Sequence, residues 1–316
     1  MSNLLDPAVL AKLEPVSLRA QRIAEGLWGG IHPSRLKGAS LEFSEHKQYS
    51  QGDELRHLDW KVFAKSDRLF IKQFEDETNI QAFSVIDASG SMGYCSREMA
   101  PDASVGAVPE TGGGVPPGPV SKLFYASLLA AGLSYLLEGQ QDAVGIVGGG
   151  DSPRVFQPPR RGRKQLALVL QALESLRASG PSNLAALCRP ILESHERKSL
   201  VAIFTDLLGA TEGDWTALRQ LRARGNEVVL FHILDPFEVY FPFQGWSDFD
   251  GLEGEAPVQA DPVVQRADYL SRFGAFLEDC RGRCVSREIA YERALTGEPV
   301  DRPLLSYLLS RRSAAR

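Results

Sequence analysis

The hydrophobic and polar positions of this 316-residue chain fall into short apolar runs separated by amphipathic stretches. Ala82–Ile86, Ala143–Val147, Leu200–Thr205 and Glu227–Leu234 are nearly continuous apolar runs, the pattern of strands buried on both faces. Between them, Lys122–Glu138, Arg163–Ala178, Leu184–His195 and Asp214–Arg224 carry helical periodicity. Val155–Phe156 predicts a short strand that pairs with Ala143–Val147 as a hairpin. Strands alternating with helices predict a doubly wound α/β fold of Rossmann type, with a mainly parallel sheet covered on both faces. Ligand sites in such a fold lie at the carboxyl ends of the strands.

Flanking this core, Asp6–Pro7 starts one short helix and Val16–Glu25 forms a second. Leu41–Tyr49 and Arg68–Phe74 alternate as strands on either side of the polar block 51–67. Residues 100–120 are rich in Gly and Pro and poor in large apolar groups, which predicts a flexible insert. Residues 236–260 predict an irregular or hairpin excursion, followed by a helix over Pro262–Arg281, a strand over Cys284–Ile289 and a last helix over Arg302–Arg311. The expected organisation is an N-terminal extension packed on the core (1–78), a core (79–235) and a C-terminal α/β elaboration that completes the domain (236–316).

Composition narrows the function classes. A chain with 43% hydrophobic and 24% charged residues is globular, and a net charge of −5 weighs against a nucleic-acid partner. Four cysteines make no disulfide framework, and the five histidines stand far from Cys280 and Cys284 in sequence, so zinc spacing is absent. The most apolar stretch, Leu123–Leu137, is fifteen residues long, short for a bilayer span. No basic start followed by an apolar core opens the chain. A cytoplasmic protein without a membrane span is expected.

The candidate chemistry sits in VIDASGSMG at the end of the first buried strand. Asp87, Ser89 and Ser91 form a D-x-S-x-S pattern; Ser182 lies in the loop SGPSNL, and Asp206 directly follows LVAIFT. Their places at the ends of elements should bring all five to one edge of the sheet. Oxygen-only donors suit a hard cation, Mg²⁺ or Mn²⁺. Two carboxylates and three hydroxyls leave such an ion poorly neutralised and open to an acidic group from outside. The bland alternative is a capped turn at Ser89–Ser91.

Other chemistries fit less well. A serine hydrolase would use Ser91, Asp206 and His232, in that chain order, but a nucleophile elbow needs Gly where Ser89 stands. His232 also lies inside the apolar run VVLFHIL, as a core histidine would. A dehalogenase-type phosphatase needs a second acid at that same position 89. Gly148–Asp151 is followed by no G-K-[ST] and is no phosphate loop.

The five donors resemble the metal-ion-dependent adhesion site of von Willebrand factor A domains. Ser182 stands where that family usually has threonine, a change that keeps the hydroxyl. More widely, the chain resembles the bacterial domain of unknown function 58 family. Gly52, Asp53, Arg56, Asp59 and Trp60, followed by Arg68, Leu69 and Lys72, look like its upstream signature, and Leu221–Gly225 and Phe231–Pro236 also fit. The Arg56–Trp60 block reads first as a buried ion pair with an aromatic anchor, with a recognition surface as the alternative. The resemblance implies a von Willebrand factor A-like core but no settled activity; the chemistry of the five donors adds the expectation of protein binding through a cation, with no catalysis by the chain itself. The resemblance implies as partner a MoxR-type AAA+ ATPase or a client of that ATPase.

Overall fold

A computed structural model describes residues 23–24, 41–48, 70–76, 80–96, 120–194 and 198–314. The helix expected to start at Asp6–Pro7, the block 51–67 and nearly all of the insert 100–120 lie outside the described residues; of the helix expected over Val16–Glu25 only Ile23 and Ala24 are described, and both are helical. The chain divides into two compact units, Pro33–Ile80 and Met1–His32 with Gln81–Arg316. Within the first, β1 (Leu41–Gln48) and β2 (Phe70–Asp76) pair antiparallel, with a register shift between Phe43 and Glu45.

The second unit is built on a six-stranded sheet. Its strands are β3 (Gln81–Asp87), β4 (Ala143–Gly149), β5 (Pro153–Arg160), β6 (Ser199–Thr205), β7 (Glu227–Leu234) and β10 (Ala290–Leu295). They lie in the order β10-β7-β6-β3-β4-β5. All neighbours pair parallel except β4 and β5, which form the expected antiparallel hairpin. The expected doubly wound, mainly parallel sheet is therefore present. The pairing of β5 runs well beyond Val155–Phe156, and it tolerates Pro158 and Pro159 because β5 is an edge strand.

Helices cover both faces. On one, α3 (Leu184–Glu193), α4 (Glu212–Ala223) and the C-terminal part of α6 (Pro262–Val285) share a core with Phe83, Val85, Ile203 and Leu230. On the other lie α1 (Lys122–Gly139), α2 (Arg163–Ser175) and α7 (Asp301–Ala314). There Phe204 stacks on Phe231 at 4.9 Å, and Tyr307 of α7 meets Phe231 edge-on. Helix α1 is buried almost all round, which explains why its sequence is apolar on every side. Among the described residues no helix is long and apolar enough to cross a membrane.

One expected strand is absent. Cys284–Ile289 is not extended: α6 continues to Val285, a turn follows, and the strand begins at Ala290. Cys280 and Cys284 are one helical turn apart and both buried in the core, which keeps that segment helical. Burial pushes both thiols up to about 12, so they stay protonated at neutral pH. The excursion after β7 holds a short helix, α5 (Pro236–Tyr240), and a hairpin of β8 (Ser247–Phe249) and β9 (Val258–Ala260).

Candidate functional site

The sheet order reverses between β3 and β6, so the helices that follow these strands diverge and leave a crevice beyond their carboxyl ends. Asp87 is the last residue of β3 and Asp206 follows β6, both fully buried at this point. The loop after β3 turns sharply into a single 3₁₀ turn at Ser91–Gly93. Ser182 arrives from the loop before α3. Gly90 N–H donates to Gly180 O (2.8 Å), and Ser179 N–H donates to Ala88 O (3.0 Å), joining the two loops. Arg154 of β5 secures the second loop by donating to the carbonyls of Arg177 and Ser179, at 2.7 and 2.5 Å.

Four of the five predicted residues make one cluster. Ser89 N–H donates to Asp87 Oδ1 (2.9 Å), and the Ser182 hydroxyl donates to Asp87 Oδ2 (2.8 Å). The Ser89 and Ser91 hydroxyls lie 3.2 Å apart. Thr205, which sequence reasoning missed, donates its hydroxyl to Asp87 Oδ2 at 2.8 Å. Burial raises the pKa of Asp87, and the nearby Asp206 carboxylate raises it further. The hydrogen bonds from Ser89, Thr205 and Ser182 work against both. Asp87 is thus a buried carboxyl whose charged form its surroundings disfavour.

Asp206 stands differently. Its Oδ2 accepts from the Lys122 ammonium at 2.7 Å, and its Oδ1 accepts from Leu208 N–H at 3.0 Å. Lys122 is fully buried in the first turn of α1, where the positive end of the helix dipole opposes an ammonium. It also donates to Glu238 of α5 at 2.5 Å. Burial alone would lower the Lys122 pKa, but the Asp206 and Glu238 carboxylates more than offset it, and the ammonium stays charged. Lys122 was legible as the start of a helix, and nothing in its sequence neighbours marks it as a buried cation.

The edge expected to stand open to an outside acid carries an acid of this chain. Glu253, in the turn of the β8–β9 hairpin, accepts from Ser91 N–H through Oε1 (3.3 Å) and from Ser182 N–H through Oε2 (3.4 Å). The serine-hydrolase arrangement is not formed by its three residues. One His232 ring nitrogen lies 2.8 Å from Asp206 O and the other 2.7 Å from Tyr291 Oη. Burial lowers the His232 pKa to about 4, so the ring is neutral at physiological pH. His232 is the buried core histidine that its apolar run predicted.

Among the described residues, no group of three or more His, Cys, Asp or Glu side chains is arranged to hold a metal ion. A cation here would be held largely by hydroxyls. The all-oxygen donor set of Asp87, Ser89, Ser91 and Ser182 has the chemistry that suits a hard ion. Asp206, whose charge is already paired with the Lys122 ammonium, fits as an outer partner.

Fold and site together define a doubly wound α/β protein with an acid- and hydroxyl-lined crevice at its topological switch point. Residues 45–109 and 118–273 match the family described as Protein of unknown function DUF58, and the chain belongs to that family. Uncharacterized proteins of Mycobacterium bovis and Mycobacterium tuberculosis are 25% identical over 247 residues, which cover 76% of this chain and 69% of theirs. Among solved structures, the conserved hypothetical protein BatB from Bacteroides thetaiotaomicron is similar at 15% identity with a TM-score of 0.44, covering 74% of this chain and 99% of that one. An aerotolerance-related membrane protein from Bacteroides fragilis is similar at 15% identity and a TM-score of 0.43, covering 71% and 94%.

Proposed function

We propose that the β3/β6 crevice is a divalent-cation site of the von Willebrand factor A type, through which the protein binds a partner protein. Asp87, Ser89, Ser91 and Ser182 would hold Mg²⁺ or Mn²⁺, with Asp206 in the outer shell. The observation that carries this reading is the convergence of two loops and the end of β6 on the buried Asp87 carboxyl, with the Ser182 and Thr205 hydroxyls each 2.8 Å from its Oδ2. The cation would supply a positive centre that accepts a carboxylate. The chain's own residues orient the hydroxyls, exclude water from Asp87 and hold Asp206 in place through Lys122.

On this reading the protein is an adaptor without chemistry of its own, acting in the cytoplasm. The partner presents an Asp or Glu and is a MoxR-type AAA+ ATPase or a client that the ATPase remodels. The partner class rests on the family resemblance, and the acidic contact rests on the site's chemistry. The test is capture of such an ATPase on the immobilised chain with Mg²⁺, with chelator, and with Asp87→Ala. Capture that needs both Mg²⁺ and Asp87 supports the reading; equal capture in all three samples rejects it.

A further inference from the structure

We infer that Glu253 is itself a ligand residue of this site, occupying from within the chain the position that a partner's carboxylate would take. The inference rests on the cation-site reading above and adds to it an internal competitor.

Glu253 places one oxygen on each of two loops that both carry candidate ligands. Ser91 N–H holds Oε1 and Ser182 N–H holds Oε2. Ser182 donates its hydroxyl to Asp87 at the same time, so a single serine bridges two carboxylates. The nearby ammonium of Lys122 is already shared by Asp206 and Glu238. Two carboxyl groups joined through one serine, with the nearby ammonium committed to other acids, form an oxygen-donor set that an added divalent ion would complete.

The approach of the hairpin is built into the sequence. A Cβ on Gly90 would lie 1.9 Å from the Leu252 carbonyl oxygen and 3.3 Å from Glu253 Cγ, so the close contact requires glycine there. The turn is braced by Glu253 N–H donating to Glu255 Oε2 at 3.0 Å. The base of the hairpin is fixed by packed rings: Phe249 stacks on Phe241 at 6.0 Å, and Phe241 stacks on Tyr269 of α6 at 4.1 Å. Glu253 is thus a tethered carboxylate at high effective concentration, and a partner's acid gains the site only by displacing it.

The experiment is a Mn²⁺ titration of the full chain, read by the paramagnetic resonance signal of the free ion, for wild type, Glu253→Gln and Glu253→Asp. Wild type should bind Mn²⁺, and Glu253→Gln should bind it roughly tenfold more weakly, because one charged ligand is lost. Acetate should strengthen binding by Glu253→Gln and leave wild type unchanged, since only the variant has the carboxylate position vacant. Glu253→Asp keeps the charge one methylene short and should fall between the two. Equal or tighter Mn²⁺ binding by Glu253→Gln, with the acetate response of wild type, overturns the inference and leaves the cation site standing. Failure of wild type to bind Mn²⁺ rejects the cation site, and with it the role of Glu253.

Discussion

The Lys122 ammonium lies 2.7 Å from Asp206 Oδ2 with both side chains essentially shielded from water, so the crevice contains a built-in monovalent cation beside the proposed divalent one. It pairs with Asp206, whereas Asp87 is met by two hydroxyls and a backbone N–H. A division of labour between the two aspartates follows: one structural, one available to an ion.

Removing the ammonium should therefore be costly. Lys122→Met leaves Asp206 buried without its partner, and a loss of about 3–5 kcal/mol is expected. Urea unfolding of wild type and variant at neutral pH measures it. A variant within about 1 kcal/mol of wild type would show that the pair contributes little net stability.

The hydroxyl of Ser182, rather than its exact shape, should matter for cation binding. Ser182→Thr keeps the hydroxyl and is expected to bind Mn²⁺ like wild type. Ser182→Ala removes the donor to Asp87 Oδ2 and should weaken binding about 10–100-fold. Equal affinities for Ala and Thr at this position would exclude Ser182 from the site.

Asp87 predicts a distinct pH dependence in chelator. Its pKa in the fold lies above the ordinary value of 3.8, so its favourable contribution is complete below that value and is lost as the pH rises through the folded value. The stability of wild type relative to Asp87→Asn should thus fall as the solution goes from acid to neutral. Saturating Mg²⁺ should remove this fall, because the ion stabilises the charged carboxylate. A difference that is independent of pH in chelator would contradict a raised Asp87.

His232 works in the opposite direction. Its folded pKa of about 4 lies below the ordinary 6.5, so its contribution is present above 6.5 and lost as the pH falls through about 4. The shift corresponds to on the order of 3 kcal/mol between these limits for a fully buried ring. Denaturant unfolding of wild type and His232→Gln at several pH values isolates it: the variant should lose less stability on acidification. Parallel curves would mean that the buried imidazole does not drive acid unfolding.

Gly90→Ala tests the seat of the hairpin. The new Cβ meets a main-chain oxygen, which cannot swing aside as a side chain would, so the turn around Leu252–Glu253 must move. Overpacking of this kind costs about 1–3 kcal/mol. Amide exchange in residues 250–255 should accelerate while exchange in β3 and β6 stays slow. Unchanged exchange at the turn would place it away from Gly90.

Much of the architecture could be read from the chain because burial leaves a periodic mark. β3, β4, β6 and β7 are apolar on both faces since helices cover both, and each was predicted to within a residue or two. The turn after β3 was legible too, because D-x-S-x-S at a strand end is a local pattern. The boundary at Cys284 was misread, since two core-facing cysteines a helical turn apart carry no sign of whether a helix ends or continues.

The sequence by itself determined four strands of the sheet, the helices between them, the strand-end positions of Asp87 and Asp206 and the loop positions of Ser89, Ser91 and Ser182, because these follow from hydrophobic periodicity and local turn chemistry. Only the tertiary structure decided what each acid meets. Lys122 and Asp206 are 84 residues apart, and Ser91 and Glu253 are 162 apart. Electrostatic partners across such separations are chosen by how the crevice closes, and that depends on the packing of helices and hairpin, which leaves no periodic trace in the chain.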